Sequence, residues 1–292
     1  MTSGGDAMEP ALRGSATKGS FPPIIIEPSR RRLALGLEGV WSFRELLYFL
    51  VWRDLKVRYR QTLLGGAWIA LQPLAATAIF AVVFGRLIRV PSDGVPYPLF
   101  AFAGLVPWNY FAGSVSRGGT SLLNNAALIT KVYFPRVVVP MASVLNGLVD
   151  GGVAFAVLVG LTFYYGVPLG PGLLALPLFV ALAAAAALGV SVWIAALGVR
   201  YRDVNHALPF LLQVWMYATP VVYPVSLLPE RWRLVAALNP MVGVVEGFRW
   251  AILGTGKNPG LLVLVSLSVT ICLLMSGLAF FRHVDRSTAD II

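Results

Sequence analysis

The densest cluster of reactive side chains lies just before the first long apolar run. It consists of Arg53, Lys56, Arg58 and Arg60. Arg53, Lys56 and Arg60 are spaced i, i+3 and i+7, so they share one face of a helix predicted over residues 39–60. A helix of this kind is typical of a membrane interface, where its apolar side chains enter lipid and its cations meet anionic head groups. A positive anchor without further function is the alternative interpretation.

A second candidate is Asp150, the one acidic residue deep within a predicted membrane span. An ionisable residue there is a functional-site hypothesis by default. It could sense a proton or a cation, or it could hydrogen-bond a neighbouring helix and fix the packing. The sequence favours packing, because a proton relay usually needs a partner acid or histidine and none is visible.

Motifs for catalysis, nucleotides and metals are missing from the sequence. Residues 254–257, Gly-Thr-Gly-Lys, mimic the end of a phosphate-binding loop, but such a loop needs glycine at Ala251 and serine or threonine at Asn258. One cysteine and two histidines do not suffice for a metal site. We therefore predict no enzyme activity, no catalytic residue, no metal and no cofactor in this chain.

Composition indicates lipid as the solvent. Hydrophobic residues make up 58% of the 292 residues, and charged residues 12%, against roughly 25% charged in soluble domains. A span needs roughly 20 apolar residues. We predict an all-α integral membrane protein with six transmembrane helices, at residues 62–85, 98–116, 137–165, 171–199, 207–224 and 260–281.

Residues 232–254 are apolar enough for a seventh span, but Asn239 and Pro240 interrupt them. Glu246 and Arg249 follow at i, i+3 spacing and can pair. Two re-entrant half-helices fit this pattern better than one span. With six spans and a cytoplasmic N-terminus, most of the 23 Lys and Arg residues lie on the cytoplasmic side, as the positive-inside rule expects.

These observations predict four segments along the chain. A disordered cytoplasmic tail is followed by the interfacial amphipathic helix, the transmembrane domain and a short cytoplasmic C-terminal tail, at residues 1–38, 39–60, 61–285 and 286–292. The net charge of +10 is explained by topology, so we expect no nucleic-acid partner.

Several short motifs occur in a fixed order: WRDLKVRYRQT at 52–62, LGGAW at 64–68, LQP at 71–73, YFPR at 133–136, YRDV at 201–204, NPM at 239–241 and EGFRW at 246–250. This ordered set resembles the membrane subunit of polysaccharide ABC exporters, which move O-antigens, capsular polysaccharides and teichoic acids. The resemblance covers residues 40–285.

The resemblance implies a homodimer of this subunit in the bacterial cytoplasmic membrane, bound to two copies of a cytoplasmic subunit that holds ATP and magnesium. The dimer would form a channel for a glycan linked to undecaprenyl diphosphate. The alternatives are an ABC exporter of small lipids or drugs, and a membrane-embedded glycan or acyl transferase.

The resemblance also implies roles for particular residues. Arg53, Lys56, Arg58 and Arg60 would bind the lipid diphosphate, unless they serve only as an anchor. A coupling helix within residues 117–136, at about 121–129 and capped by Thr120 or Ser121, would contact the ATPase through Ser121, Asn124, Asn125, Lys131 and Arg136. An ordinary loop is the alternative for this segment.

Two further groups follow from the same resemblance. Aromatic faces suit a sliding glycan, so the channel-lining candidates are Phe100, Phe102, Trp108, Tyr110, Phe111, Trp215 and Tyr217, although aromatic residues also gather at membrane interfaces. The outer gate would lie at residues 226–256, with Asn239, Pro240, Glu246 and Arg249 as its main residues.

Overall fold

The computed structural model describes residues 41–59, 66–201, 203–254 and 259–288, which all belong to one compact unit, Leu35–Ile292. Within these residues the chain forms helices and no β-strand, which confirms the all-α prediction. The helices are α1 Arg44–Tyr59, α2 Ala67–Phe80, α3 Tyr97–Asn124, α4 Ala126–Ile129, α5 Val138–Tyr164, α6 Leu176–Arg200, α7 Asp203–Ala218, α8 Glu230–Ala236, α9 Pro240–Leu253 and α10 Gly260–Thr288. The predicted tail at residues 1–38 and Arg60 lie outside the described residues.

Among the residues that the structure describes, four segments are long and apolar enough to cross a membrane. They are Ala67–Leu87, Val138–Tyr164, Gly172–Arg200 and Gly260–Val284, and they coincide with four of the six predicted spans. The other two predicted spans correspond to α3 and α7. Because α7 has 16 residues, it is about 24 Å long, shorter than the hydrocarbon core of roughly 30 Å. The count of six spans therefore stays a prediction.

Helix α3 is the centre of the fold. It packs against α5 and α6 over much of its length, and α9 and α2 also contact it. Close approach of α3 and α6 depends on Gly118, since a Cβ atom there would lie 2.5 Å from Ser191 Oγ. Small residues at helix crossings are the usual device for tight packing in membranes.

Helix α1 has two different faces. Leu50 is fully buried and belongs to a cluster with residues of α3, α5, α6 and α10. The outer face exposes Tyr48, Phe49 and Trp52, and Trp41 is exposed just before the helix. Exposed aromatic side chains of this kind are enriched at membrane interfaces, so the two faces fit the predicted interfacial helix, whose membrane position stays a prediction.

The segment after α7 contains two short helices rather than one long one. The break between α8 and α9 lies at Asn239, whose Oδ1 accepts a hydrogen bond from Met241 N at 3.0 Å, and Pro240 occupies the first turn of α9. Both are typical of a helix start. Gly254, at φ 63°, ends α9. The predicted interruption is present, while re-entry into the membrane stays a prediction.

Candidate functional site

Asp150 of α5 contacts cationic side chains of two neighbouring helices. Arg58 Nη1 of α1 donates to Asp150 Oδ2 at 2.6 Å, and Arg117 Nη1 of α3 lies 3.6 Å from the same oxygen. The three side chains are 29%, 33% and 21% exposed for Arg58, Arg117 and Asp150. Charges within an apolar bundle are retained where they pair with one another, so this cluster joins α1, α3 and α5 at one point.

Two cavities meet at this cluster. One, of about 440 Å³, is lined by Arg58, Arg117 and Asp150 together with Trp68, Gln72 and Tyr110. The other, of about 430 Å³, is lined by Arg53, Arg58, Arg117, Asn124, Asn125 and Asn146. Because Arg58 and Arg117 line both, the cavities form a polar groove between α1, α3 and α5, which we call the arginine groove.

A second hydrogen bond beside the arginine groove connects α1 to the end of α3. Arg53 Nη2 donates to Asn125 Oδ1 at 2.7 Å and also pairs with Asp54 at 2.8 Å. Asn146 Nδ2 of α5 donates to the backbone oxygen of Val51 at 3.2 Å. These contacts hold α1 against the bundle along its whole C-terminal half.

The cations predicted to bind a lipid diphosphate do not all face the same way. Arg53 and Arg58 point into the arginine groove, and Lys56 is exposed outside it. Arg60 lies outside the described residues. The structure adds Arg117, which the sequence analysis treated as the start of a loop.

The segment predicted to couple to the ATPase begins differently from expectation. The second span was expected to end at residue 116, but α3 continues to Asn124, so Ser121 lies inside a long helix and caps none. Its hydroxyl donates to Gly118 O at 2.6 Å, as serine often does within helices. The charge of Arg117 predicts a membrane boundary, but such a boundary need not end a helix and arginine is a good helix former, so α3 continues past it.

The exposed part of the coupling segment lies around the four-residue helix α4, Ala126–Ile129. Asn124 and Lys131 are exposed, whereas Asn125 is half-buried and donates to Ser121 O at 2.9 Å. Arg136 is half-buried near the start of α5. The apolar residues Leu123, Val132 and Tyr133 are exposed beside α4, Tyr133 by 95%.

Most of the predicted channel-lining aromatics lie inside this single chain. Four of them are at most 3% exposed and pack within the core clusters: Phe100, Phe102, Trp108 and Phe111. Their rings meet protein on both faces, so in this structure they line no surface. Tyr110 is buried but reaches the arginine groove, Trp215 is half-buried, and Tyr217 is 53% exposed.

A buried arginine organises the predicted gate region. Arg249 is 2% exposed and pairs with Glu246 at 3.1 Å, the ion pair that their spacing predicted. Its guanidinium also donates to the carbonyl oxygens of Pro220 at 2.7 Å and of Val221, and lies 3.7 Å from the centre of the Phe100 ring. Arg249 therefore fastens α9 to α3 and to the segment after α7.

Asn239 provides a second connection in this region. Its Oδ1 accepts from Trp215 Nε1 of α7 at 3.0 Å, and its Nδ2 donates to Thr219 Oγ1 at 2.8 Å. Ser266 of α10 donates to the carbonyl oxygens of Ala237 and Asn239 at 3.2 and 3.4 Å. The break between α8 and α9 is thus bonded on both sides and forms a fixed corner.

Four contacts at the arginine groove were not predicted from the sequence: Arg58 with Asp150, Arg117 with Asp150, Arg53 with Asn125, and Asn146 with Val51. The positions paired by Arg58 and Asp150 are 92 residues apart, and those paired by Arg53 and Asn125 are 72 apart. Local spacing carries no information about such pairs. The one available signal was that a lone carboxylate in an apolar run needs a cation nearby.

Comparison with known proteins gives consistent matches over most of the chain. Residues 45–253 match the profile of the family described as ABC-2 type transporter. The O-antigen export system permease protein RfbA of Myxococcus xanthus is 32% identical over 257 residues, covering 87% of this chain and 97% of that protein. RfbA of Klebsiella pneumoniae is 27% identical, covering 85% of this chain and 95% of that protein.

A further relative is the polysialic acid transport protein KpsM of Escherichia coli, 24% identical over 79% of this chain and 90% of that protein. The family match takes in α1 together with the arginine groove, the coupling segment and the corner at Asn239. It confirms the resemblance drawn from the ordered motifs. The chain belongs to the ABC-2 type transporter family.

Proposed function

We propose that this chain is the membrane permease of a polysaccharide exporter in the bacterial inner membrane. The similarity to two O-antigen export permeases and a polysialic acid transport protein, over nearly their full lengths, supports this substrate class. The family match and the four apolar helices agree with a transport role. The structural observation that carries the proposal is a groove lined by arginines inside an otherwise apolar bundle.

The exported molecule is a glycan linked to undecaprenyl diphosphate. Such a substrate has three parts: an apolar chain that stays in lipid, a doubly charged head group and a long sugar polymer. Helix α1, with exposed Tyr48, Phe49 and Trp52, suits the lipid interface. Arg53 and Arg58 in the groove, with Lys56 exposed nearby and Arg60 following, suit the diphosphate, because guanidinium groups bind phosphate oxygens in pairs.

Work is supplied by two copies of a separate ATP-binding subunit, which binds ATP and magnesium, while two copies of this chain form the membrane part. The contact segment is the exposed region around α4, with Leu123, Val132 and Tyr133 as apolar contacts and Asn124 and Lys131 as polar ones. Exposed apolar residues in a short loop outside the spans are typical of a protein interface. Both termini are cytoplasmic in this arrangement.

The opposite end of the bundle acts as the gate. Its residues Asn239, Pro240, Glu246 and Arg249 form a corner held by the contacts of Trp215 and Phe100. Opening requires these bonds to be exchanged, so the corner keeps the path closed at rest. A glycan then passes along exposed aromatic residues such as Tyr217.

Reconstitution with a partner tests this function. The chain is co-expressed with the ATP-binding protein encoded beside it, purified, and placed in liposomes. We expect an assembly of two copies of each chain, whose ATP hydrolysis increases severalfold when undecaprenyl-diphosphate-linked glycan is added. Undecaprenyl diphosphate without glycan is the matched control.

Two results would contradict the proposal. If no stable assembly forms with an ATP-binding protein, the chain is not the permease half of such an exporter. If undecaprenyl diphosphate alone stimulates hydrolysis and is transported as well as the glycan conjugate, the chain exports a small lipid.

A further inference from the structure

Asp150 is an acidic side chain within the arginine groove. It lies between Arg58 and Arg117, where an anionic ligand would be expected to bind. One Oδ2 atom lies 2.6 Å from Arg58 Nη1 and 3.6 Å from Arg117 Nη1. The described charged side chains around the two cavities are Arg53, Arg58, Arg117, Asp54 and Asp150. Three cations and two carboxylates leave an excess of positive charge in the groove.

We propose that Arg58 and Arg117 form a phosphate-binding site whose resting occupant is the Asp150 carboxylate. The ligand is the phosphate group of a lipid head group, and it displaces Asp150 when it enters. This inference rests on the proposed function for the source of the phosphate and adds Arg117 and Asp150 to the site. Asp150 acts as an internal competitor for the ligand.

The chemistry of the two anions supports an exchange. A carboxylate and a phosphate both accept charge-assisted hydrogen bonds from guanidinium groups. A diphosphate as a whole has more non-bridging oxygens and more negative charge than one carboxylate, so it can contact Arg58 and Arg117 together at short distance. Asp150 lies closer to Arg58 than to Arg117, so an anion with more acceptor oxygens can contact the two guanidinium groups more evenly.

The space around Arg117 is shaped for its guanidinium group. A Cβ atom at Gly113 would lie 3.1 Å from Arg117 Nη1, and one at Gly147 would lie 2.9 Å from Arg117 Nη2. A larger residue at either position would crowd the guanidinium. Gly113 of α3 and Gly147 of α5 thus border the Arg117 guanidinium where cavities of about 440 and 430 Å³ meet, and Gly147 also borders Ser114 Oγ.

An internal competitor has a physical purpose in this location. Two arginines facing each other in a cavity of low polarity repel, and a site left open would collect free phosphate from the cytoplasm. A carboxylate fixed on α5 neutralises part of this charge. The site then yields only to an anion present at high local concentration, as a lipid head group delivered along the membrane is.

Binding of farnesyl diphosphate to the purified full-length chain in detergent tests the proposal. Asp150→Asn removes the competing charge, so we expect it to tighten binding by about tenfold. Arg117→Gln is expected to weaken binding by about tenfold, the change caused by losing one charge-assisted hydrogen bond. The variant with both Asp150→Asn and Arg117→Gln is expected to lose the tighter binding that Asp150→Asn causes alone. Arg44→Gln removes a charge from α1 outside both cavities and leaves binding unchanged.

The direction of the Asp150→Asn effect separates competition from a purely structural role. If Asp150 only fixed the packing, its replacement would weaken binding or leave it unchanged, and this result would overturn the proposal. Should Asp150→Asn fail to fold, as judged by thermal unfolding, Arg117→Gln decides alone: binding equal to that of the wild type overturns the site.

Two further arms identify the source of the phosphate. Inorganic diphosphate that binds as tightly as farnesyl diphosphate would show a site for a free anion and overturn the lipid assignment, whereas farnesol is expected not to bind. Failure here is distinguishable from failure of the export function. If glycan stimulates ATP hydrolysis but Asp150→Asn does not tighten binding of farnesyl diphosphate, only the phosphate site is overturned. If Asp150→Asn tightens binding but glycan does not stimulate hydrolysis, only the export function is overturned.

Discussion

Arg53 of α1 donates a hydrogen bond of 2.7 Å to Asn125, the residue that joins α3 to α4. The interfacial helix is thereby bonded directly to the segment that we propose as the contact with the ATP-binding subunit. Movement of either element must stretch this bond or carry the other with it. In the proposed function, this bond would transmit movement between the site of the lipid head group and the contact with the ATP-binding subunit.

Loss of this bond should weaken coupling. We expect Asn125→Ala to reduce the stimulation of ATP hydrolysis by glycan by about tenfold or more, since one charge-assisted hydrogen bond is worth roughly 1.5–3 kcal/mol and about 1.4 kcal/mol corresponds to tenfold. Asn125→Asp keeps an acceptor for Arg53 and is the matched control. Basal hydrolysis by the complex measures assembly. Equal stimulation in Asn125→Ala and the wild type would show that the bond plays no part in coupling.

Replacement of Arg249 should destabilise the outer corner. Arg249→Lys keeps the charge, but one ammonium group cannot reach Glu246, Pro220 and Val221 together. We expect a loss of about 2–4 kcal/mol in the free energy of unfolding, because buried acceptors lose their donors. Thermal unfolding of the purified chain measures this. An unchanged transition would mean that Arg249 does not hold the corner.

The ion partner of Arg249 allows a separate test of the gate. Glu246→Ala leaves the carbonyl contacts of Arg249 in place and removes one of its anchors. We expect a larger leak of small solutes from liposomes that contain the resting complex. Glu230→Ala, at an exposed pair with Arg233, serves as the control. Leak and transport rates like those of the wild type would exclude the gate role of Glu246.

The burial of the aromatic candidates predicts opposite effects for two of them. Phe111 is fully buried, so Phe111→Ala should cost about 3–5 kcal/mol of stability by leaving a cavity in the core. Tyr217 is 53% exposed, so Tyr217→Ala should leave stability unchanged and slow glycan transport. Unfolding and transport assays on the same preparations decide the matter. A stable Phe111→Ala variant with slow transport would restore Phe111 as a channel residue.

Local chemistry made part of the fold predictable. Asn239 followed by Pro240 is a strong helix start, and the interruption lies at that position. The spacing of Glu246 and Arg249 gave their ion pair. Composition and apolar runs identified four segments that are long and apolar enough to cross a membrane.

Other features depend on partners distant in sequence and could not be predicted. The pairing of Arg117 with Asp150 is one of them, because the carboxylate lies on another helix and the charge of Arg117 alone indicates a membrane boundary. Phe100 and Phe111 were candidates for a channel because apolar aromatics look alike whether they meet protein or substrate. Only the packing of α3 against its neighbours shows that both are buried.

The most direct test of the central claim is ATP hydrolysis by the complex of this chain with its ATP-binding partner, with and without undecaprenyl-diphosphate-linked glycan. If this permease exports polysaccharide, the conjugate stimulates hydrolysis severalfold, and the stimulation is lost in Arg58→Gln while the complex still assembles. If the intact complex hydrolyses ATP at the same rate with and without the conjugate, the proposal that this permease exports polysaccharide is wrong.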